Sequence, residues 1–349
     1  MKDNYLADLL AFLELTDSQR HTYRDAAELY QAYLEAVRQS RHFKGGMHWK
    51  KIRGREYLYR YRDRYGHGGS LGPRSPQTEQ VWGDFSRQRQ ALAARLQGLR
   101  LRLKEQARFC RAASLCRVPT AAAKILRRLE QHDLGRNLLV IGPTALCAYE
   151  FAAGVFWQDS ARLGTPAEAH RRLNLAGDGR IDWDELLRLL RQGDRSFAPV
   201  PGAGCRAVNR DGFLVRLFKT DARQPDRQKA VTVPGARQPL PPEAVNLQYL
   251  LAGPKFFQIV IGADGGPATM MVPDHRAFAL NRLWLSQQED REAAHRARDL
   301  SQALAVAELV LRYLPQYDFS SSELDMFPRE LRRNTEDVEG TASIEEFQR

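Results

Sequence analysis

The sequence predicts a mixed α/β chain, of the α+β kind, with helices set against sheets, and three stretches carry that prediction. Residues 137–157 read as strand, glycine turn and helix: Leu138 to Ile141 is an apolar run of strand length, Gly142 permits a tight turn, and Thr144 can cap the Ala-rich helix that follows. Residues 55–65 alternate Tyr and Arg with the period of two that marks a strand. From Val81 to Cys110 an apolar stripe recurs at helical spacing with no proline inside it.

Composition bounds the answer. At 349 residues the chain has room for two or three compact units. No run of about 18 apolar residues occurs, and Met1-Lys2-Asp3-Asn4 does not open a secretory leader, so a cytoplasmic protein without a membrane partner is expected. Cys110, Cys116, Cys147 and Cys205 lack paired metal-ligand spacing and are expected as reduced, buried thiols. Charge is uneven: residues 41–104 hold 16 Lys and Arg against 4 Asp and Glu, a larger excess than the whole chain's net +11. Residues 316–349 run the other way, with 9 acids and 4 bases, and are expected to be a mobile acidic tail.

Taken in order, residues 4–40 predict two helices, the first grouping Leu6, Leu9, Leu10 and Leu13. The second is capped within Thr16-Asp17-Ser18 and striped by Tyr23, Ala27, Tyr30, Leu34 and Val37. Gly45-Gly46 breaks the pattern, and Met47 to Gly72 predicts a small antiparallel sheet. Its central strand sets Tyr57, Tyr59, Tyr61 and Tyr65 on one face and Arg60, Arg62 and Arg64 on the other, with Lys50, Lys51, Arg53 and Arg55 on the preceding strand and turn. Two readings stay open. The basic face contacts DNA or RNA phosphates, through these residues and Arg74, or the tyrosines pack on helices and leave the arginines solvated.

Ser75-Pro76 then caps a helix of about 35 residues, which needs either the N-terminal helices or a second copy of the chain as its partner. Ala121 to His132 predicts a shorter helix leading into the strand at Leu138. Beyond Trp157 the expectations are a helix around Pro166 to Leu173, a helix over Asp184 to Arg191, and strands at Cys205 to Val208 and Phe213 to Phe218. Residues 221–243 read as loop; Phe256 to Ile261 and Ala268 to Val272 form a hairpin around Asp264-Gly265-Gly266. Helices follow at Ala277 to Ser286 and Arg291 to Leu314. The implied organisation is a helical region (1–44), a basic β unit with its long helix (45–118), a core (119–273), C-terminal helices (274–315) and the tail (316–349).

The order of several fragments resembles a bacterial group of nucleotidyltransferase-fold proteins within the Pol-β-like superfamily. These are Gly54-Arg55-Glu56-Tyr57-Leu58-Tyr59, Ser70-Leu71-Gly72-Pro73, Ile141-Gly142 with Ala148-Tyr149-Glu150 and Ala153-Gly154-Val155, Leu175-Ala176-Gly177-Asp178, Asp194-Arg195-Ser196-Phe197, Ala207-Val208-Asn209-Arg210-Asp211-Gly212, Phe278-Ala279-Leu280 and Leu283-Trp284-Leu285-Ser286. The resemblance covers residues 45–315. It implies a mixed sheet with helices, and transfer of a nucleotidyl group from an NTP, with magnesium held by a D-x-D pair on one strand and a third carboxylate on a later one. Nucleotide contacts are implied for Gly142, Thr144 and the position of Arg216.

This chain departs from that pattern at each metal-binding place. Gly142 is followed by Pro143, which has no N–H; no acidic pair stands between Val155 and Leu175; and Arg216 takes the place of the third carboxylate. Asp182 and Asp184 form a displaced apolar-Asp-apolar-Asp pattern that could serve catalysis. The same stretch fits a calcium loop running from Asn174 through Asp178 to Glu185, with Asp178, Asp182 and Glu185 as metal candidates. It also fits a glycine turn with acids in the first turn of a helix. The expectation is a degenerate nucleotidyltransferase serving as a nucleic-acid or nucleotide-binding regulatory module, with no cofactor. An active enzyme using magnesium and NTP on RNA or protein is the alternative, and a scaffold dimerised through the long helix is a third reading.

Overall fold

The structure, a computed structural model, describes residues 12–63, 66–158, 171–177, 181–219, 247–289, 291–325 and 327. Strand β1 (Phe12–Glu14) pairs antiparallel with β6 (Val155–Trp157), and helix α1 (Asp17–Ser40) follows. Thr16 caps α1 in a reciprocal box with Gln19. Leu6, Leu9 and Leu10 of the first expected helix lie outside the described residues. Leu13 stands on strand β1 instead, its side chain exposed and its backbone paired with Phe156.

Strands β2 (Gly46–Ile52), β3 (Arg55–Tyr61) and β4 (Gly68–Pro73) make the expected antiparallel sheet, with β3 central. Helix α2 (Pro76–Ala112) opens on the Ser75 cap and runs 37 residues, about 55 Å at the standard rise. Its stripe at Leu92, Leu96, Leu99 and Leu103 lies on Tyr30, Tyr33 and Leu34 of α1, so α1 covers this stretch of the helix.

Helix α3 (Thr120–Gln131) leads to β5 (Leu139–Ile141), α4 (Pro143–Ala153) and β6; then come β7 (Arg172–Gly177), α5 (Trp183–Gly193), β8 (Ala198–Pro199), β9 (Arg206–Val208) and β10 (Leu214–Lys219). The main sheet has the order β5-β7-β10-β9-β8. Strands β7 and β10 are parallel and the remaining pairs antiparallel, which makes the sheet mixed. Helix α6 (Leu247–Ala252), the hairpin β11 (Lys255–Ile261) and β12 (Pro267–Pro273), and helices α7 (His275–Ser286) and α8 (Ala293–Tyr313) complete the order.

Alternation sorts the main sheet into two faces. Leu138, Val140, Leu173, Leu175, Val215 and Leu217 pack on α3 through Ile125 and Leu129 and on α5 through Leu186 and Leu190. Leu139, Ile141, Ala176 and Phe218 turn the other way, onto Leu250 of α6 and Ala277 and Leu280 of α7. Arg172, Asn174 and Arg216 share that second face, since they alternate with the first set.

Four expectations change. Thr144 does not cap α4: Gly142 is the cap residue, Pro143 takes the first helical position, and Thr144 is buried within the first turn. The helix expected to end at Leu173 gives way to strand there, because Leu173 and Leu175 are needed on the buried side of β7; its earlier residues, 166–170, lie outside the description. The tail is not all free chain, since Phe319, Leu324 and Phe327 are buried and Arg276 binds the Asp318 carbonyl and Glu323.

The fourth concerns the N-terminal sheet, whose faces are reversed. Leu58 is fully buried, and Arg60 turns inward beside it, its guanidinium 4.6 Å from the Phe85 ring of α2. Arg60 donates to the carbonyls of His42 at 2.7 Å, Lys44 at 3.0 Å and Gly46 at 3.2 Å. Arg64 and Tyr65 lie outside the described residues.

Candidate active site

The turn after β5 fixes the site. Gly142 has φ +77° and ψ −161°, a region reserved in practice for glycine, and a Cβ built there would lie 3.2 Å from Asn174 Nδ2 and 3.6 Å from Arg282 Nη2. Beside the turn, Ile141, Asn174 and Arg216 stand in one row across β5, β7 and β10, and Arg172 lies two residues before Asn174 on the same face. Asn174 is 2 % exposed, and its Oδ1 has no hydrogen-bond partner among the described residues.

Helix α7 adds charge from the opposite side. Arg282, buried, donates to Asp299 Oδ1 of α8 at 3.0 Å, and Arg291 donates to the other carboxylate oxygen at 2.5 Å. Two buried guanidiniums thus share one carboxylate, and the Arg282 Nε has no hydrogen-bond partner among the described residues. Further along α7, Arg276 is held by both oxygens of Asp274.

The helix after the turn is anchored by another buried pair. Glu150 of α4 accepts from Nε and Nη2 along one edge of the Arg117 guanidinium and from the Trp157 N–H. Burial raises its carboxyl pKa, opposed by Arg117. Tyr149 donates to the Pro273 carbonyl at 3.0 Å, and burial raises its pKa well above the phenol range. These groups fix α4 against β12; none faces the row at Asn174 with a free carboxylate.

The displaced acids lie elsewhere. Asp182 is the N-cap of α5, accepting from the Asp184 N–H at 3.3 Å, and Asp182, Asp184 and Glu185 are exposed in the first helical turn, where the helix dipole favours acids. Gly177, which ends β7 shortly before them, is beside Asn137 and Leu138 at the start of β5, whereas Gly142 follows its end. Asp178 lies outside the described residues. The calcium-loop reading also loses its first ligand, since Asn174 is a mid-strand residue on the sheet face opposite the one that α5 covers. Among the described residues no group of three His, Cys, Asp or Glu side chains could hold a metal ion.

A cleft of about 730 Å³ opens on the other face between α3 and α5, with Lys124, Arg128, Asp194, Arg195 and Arg210 around it. It includes neither Gly142 nor Asn174. Its rim is knit by two sequence fragments singled out above: Asn209 donates to Asp194 at 3.0 Å, and Ser196 donates to the same carboxylate at 2.7 Å, lowering the Asp194 pKa.

A sheet strand, a glycine turn, a buried helix and two further site-facing strands form the layout implied by the nucleotidyltransferase resemblance, and a sequence family described as nucleotidyltransferase matches residues 120–327. The chain belongs to the nucleotidyltransferase family. No curated protein and no solved structure matches it. Nucleotidyltransferases commonly employ an NTP and magnesium, which carboxylates hold. Here the site-facing positions are Arg172, Asn174 and Arg216, with Arg282 behind the turn. Among the described residues that face this side of the sheet beside the turn, the row offers the amide oxygen of Asn174 and no carboxylate, a poorer donor set than a two-metal site uses. Sequence reading singled out Arg216, took Asn174 for the start of a calcium loop and passed over Arg172; the strand register sets the three on one face. Arg282 carried no usable signal, lying more than 100 residues from the turn it supports.

Proposed function

We propose that this nucleotidyltransferase-fold protein no longer performs metal-dependent nucleotidyl transfer and acts as a nucleotide or nucleic-acid-binding regulatory module. The single observation that carries this reading is the row Ile141, Asn174, Arg216 beside Gly142, in which an amide and a guanidinium stand where metal-binding carboxylates are required. In this reading Gly142 and Arg216 lie nearest a bound nucleotide, with buried Thr144 supporting the turn. The basic N-terminal unit contacts DNA or RNA.

Purified protein incubated with magnesium or manganese and each NTP should release no pyrophosphate and transfer no label above a heat-treated control. Turnover that vanishes in the Asp182→Asn, Asp184→Asn double variant would establish the displaced-carboxylate enzyme instead. A nucleotide bound equally well with and without chelator would support a cationic, metal-free site.

A further inference from the structure

The face of the N-terminal sheet turned away from α2 carries an arrangement that nothing above uses. Alternation puts Tyr57, Tyr59 and Tyr61 of β3 on that face, and the register adds His48 and Lys50 from β2 and Ser70 from β4. His48, Lys50 and Ser70 are exposed and the three tyrosines half-buried. The Tyr59 and Tyr61 rings lie 6.2 Å apart with their planes 23° from parallel, and Lys50 Nζ stands 5.4 Å from the Tyr59 centroid. Tyr61 is flanked by Gly46 on one neighbouring strand and Gly68 on the other, and the His48 ring leans over Gly46 to lie 6.1 Å from the Tyr61 ring.

The two faces have divided the work. Leu58, Arg60 and Met47 close the inner face against α2, and Arg60 is committed to backbone carbonyls. What remains outside is aromatic, with cations at its edge: Arg53 and Arg55 are exposed around the β2–β3 turn. Ring planes bind the planes of bases, and a base pair inside a duplex hides those planes from a protein; a backbone of phosphates matches the rim.

We propose that this face is a stacking platform for a single-stranded nucleic-acid segment, with unpaired bases on Tyr59 and Tyr61 and phosphates along the rim at Lys50, Arg53 and Arg55. The proposal rests on the nucleic-acid reading given above and narrows it to a strand, a surface and a mode of contact.

Fluorescence anisotropy on the full chain tests it, with a short single-stranded oligonucleotide (DNA and RNA forms), the matching duplex, and an abasic strand of equal length, each over a range of salt. The single strands should bind more tightly than the duplex or the abasic strand. Tyr59→Ala and Tyr61→Ala should each weaken single-strand binding about tenfold or more without changing the salt slope, while Tyr59→Phe should keep it. Lys50→Gln should lower the slope. Thermal melts identify any variant that loses its fold, and the parent's preference for the single strand over the duplex and the abasic strand then carries the test. A duplex that binds better than the single strand, or folded alanine variants that bind like the parent, would overturn the platform while leaving nucleic-acid binding intact. Failure of every oligonucleotide at low salt would overturn both.

Discussion

Asn174 of β7 and Arg216 of β10 are register partners across a parallel strand pair, their side chains on one face next to the Gly142 turn. Because adjacent strands set paired residues side by side, this juxtaposition is a property of the backbone and survives a change of side chain. In the reading proposed above, these are the positions at which a metal site would be built.

Restoring acids at those positions should therefore restore the ion. The triple variant Arg172→Asp, Asn174→Asp, Arg216→Asp is expected to bind manganese, read by the loss of the free-ion signal in electron paramagnetic resonance, while the parent leaves that signal unchanged. Asn174→Asp alone should bind weakly, since Arg172 and Arg216 remain beside it. A folded triple variant that leaves all the manganese free would remove the correspondence between this row and a two-metal site.

The sequence displayed the scaffold more clearly than the site. Leu138 to Ile141 and Gly142 read directly as strand and turn, because an apolar run ended by glycine has few other uses, and Arg216 stood out within an otherwise apolar strand. Arg172 did not, and Asn174 drew notice only as the start of a candidate calcium loop. The run Arg171-Arg172-Leu173-Asn174-Leu175 contains no acid to search for, and only its pairing with both β5 and β10 shows that it is the strand between them. The sheet at residues 46–73 teaches a similar lesson. Alternation separates tyrosines from arginines, but which set is covered depends on a helix arriving from elsewhere. The buried Leu58, which shares Arg60's parity, was the available local hint.

Acid should weaken the fold through His275. Its ring is 1 % exposed, packed 4.7 Å from the rings of both Phe256 and Tyr317 and 5.3 Å from Tyr149. Burial pushes its pKa down to about 4, with Asp274 opposing and Arg276 adding to the shift. Between about pH 6.5 and pH 4 the unfolded chain binds a proton that the folded chain does not, so stability rises with pH across that window. It is complete above about pH 6.5 and falls as pH drops toward 4, by on the order of 3 kcal/mol. Urea midpoints at about pH 7.5 and about pH 4.5 should show this fall in the parent and a smaller one in His275→Phe. Equal falls would assign the acid sensitivity to other groups.

Asp299 should be among the least replaceable residues in the C-terminal helices. It is fully buried and is the carboxylate on which both Arg282 and Arg291 close. Asp299→Asn preserves shape but leaves two buried guanidiniums with no neutralising partner there, a change that costs about 3–5 kcal/mol. Chemical denaturation should register a loss of that size. A loss below about 1 kcal/mol would mean that water reaches the pair, as it does at surface ion pairs.

Arg60 and Arg55 lie five residues apart on one strand and should fail in different ways. Arg60 ties the chain at 42–46 to the sheet through carbonyl hydrogen bonds and covers Phe85, so Arg60→Gln removes charge-assisted bonds inside the unit. That change should destabilise by about 1–3 kcal/mol and speed hydrogen exchange in β2 and β3. Arg55 is exposed at the start of β3, so Arg55→Gln should leave stability within about 0.5 kcal/mol. If the rim meets phosphates, the same substitution should lower the salt slope of oligonucleotide binding by about one. Exchange and binding measured on both variants separate the roles: an Arg60 variant that binds worse but exchanges like the parent would place Arg60 on the binding surface after all.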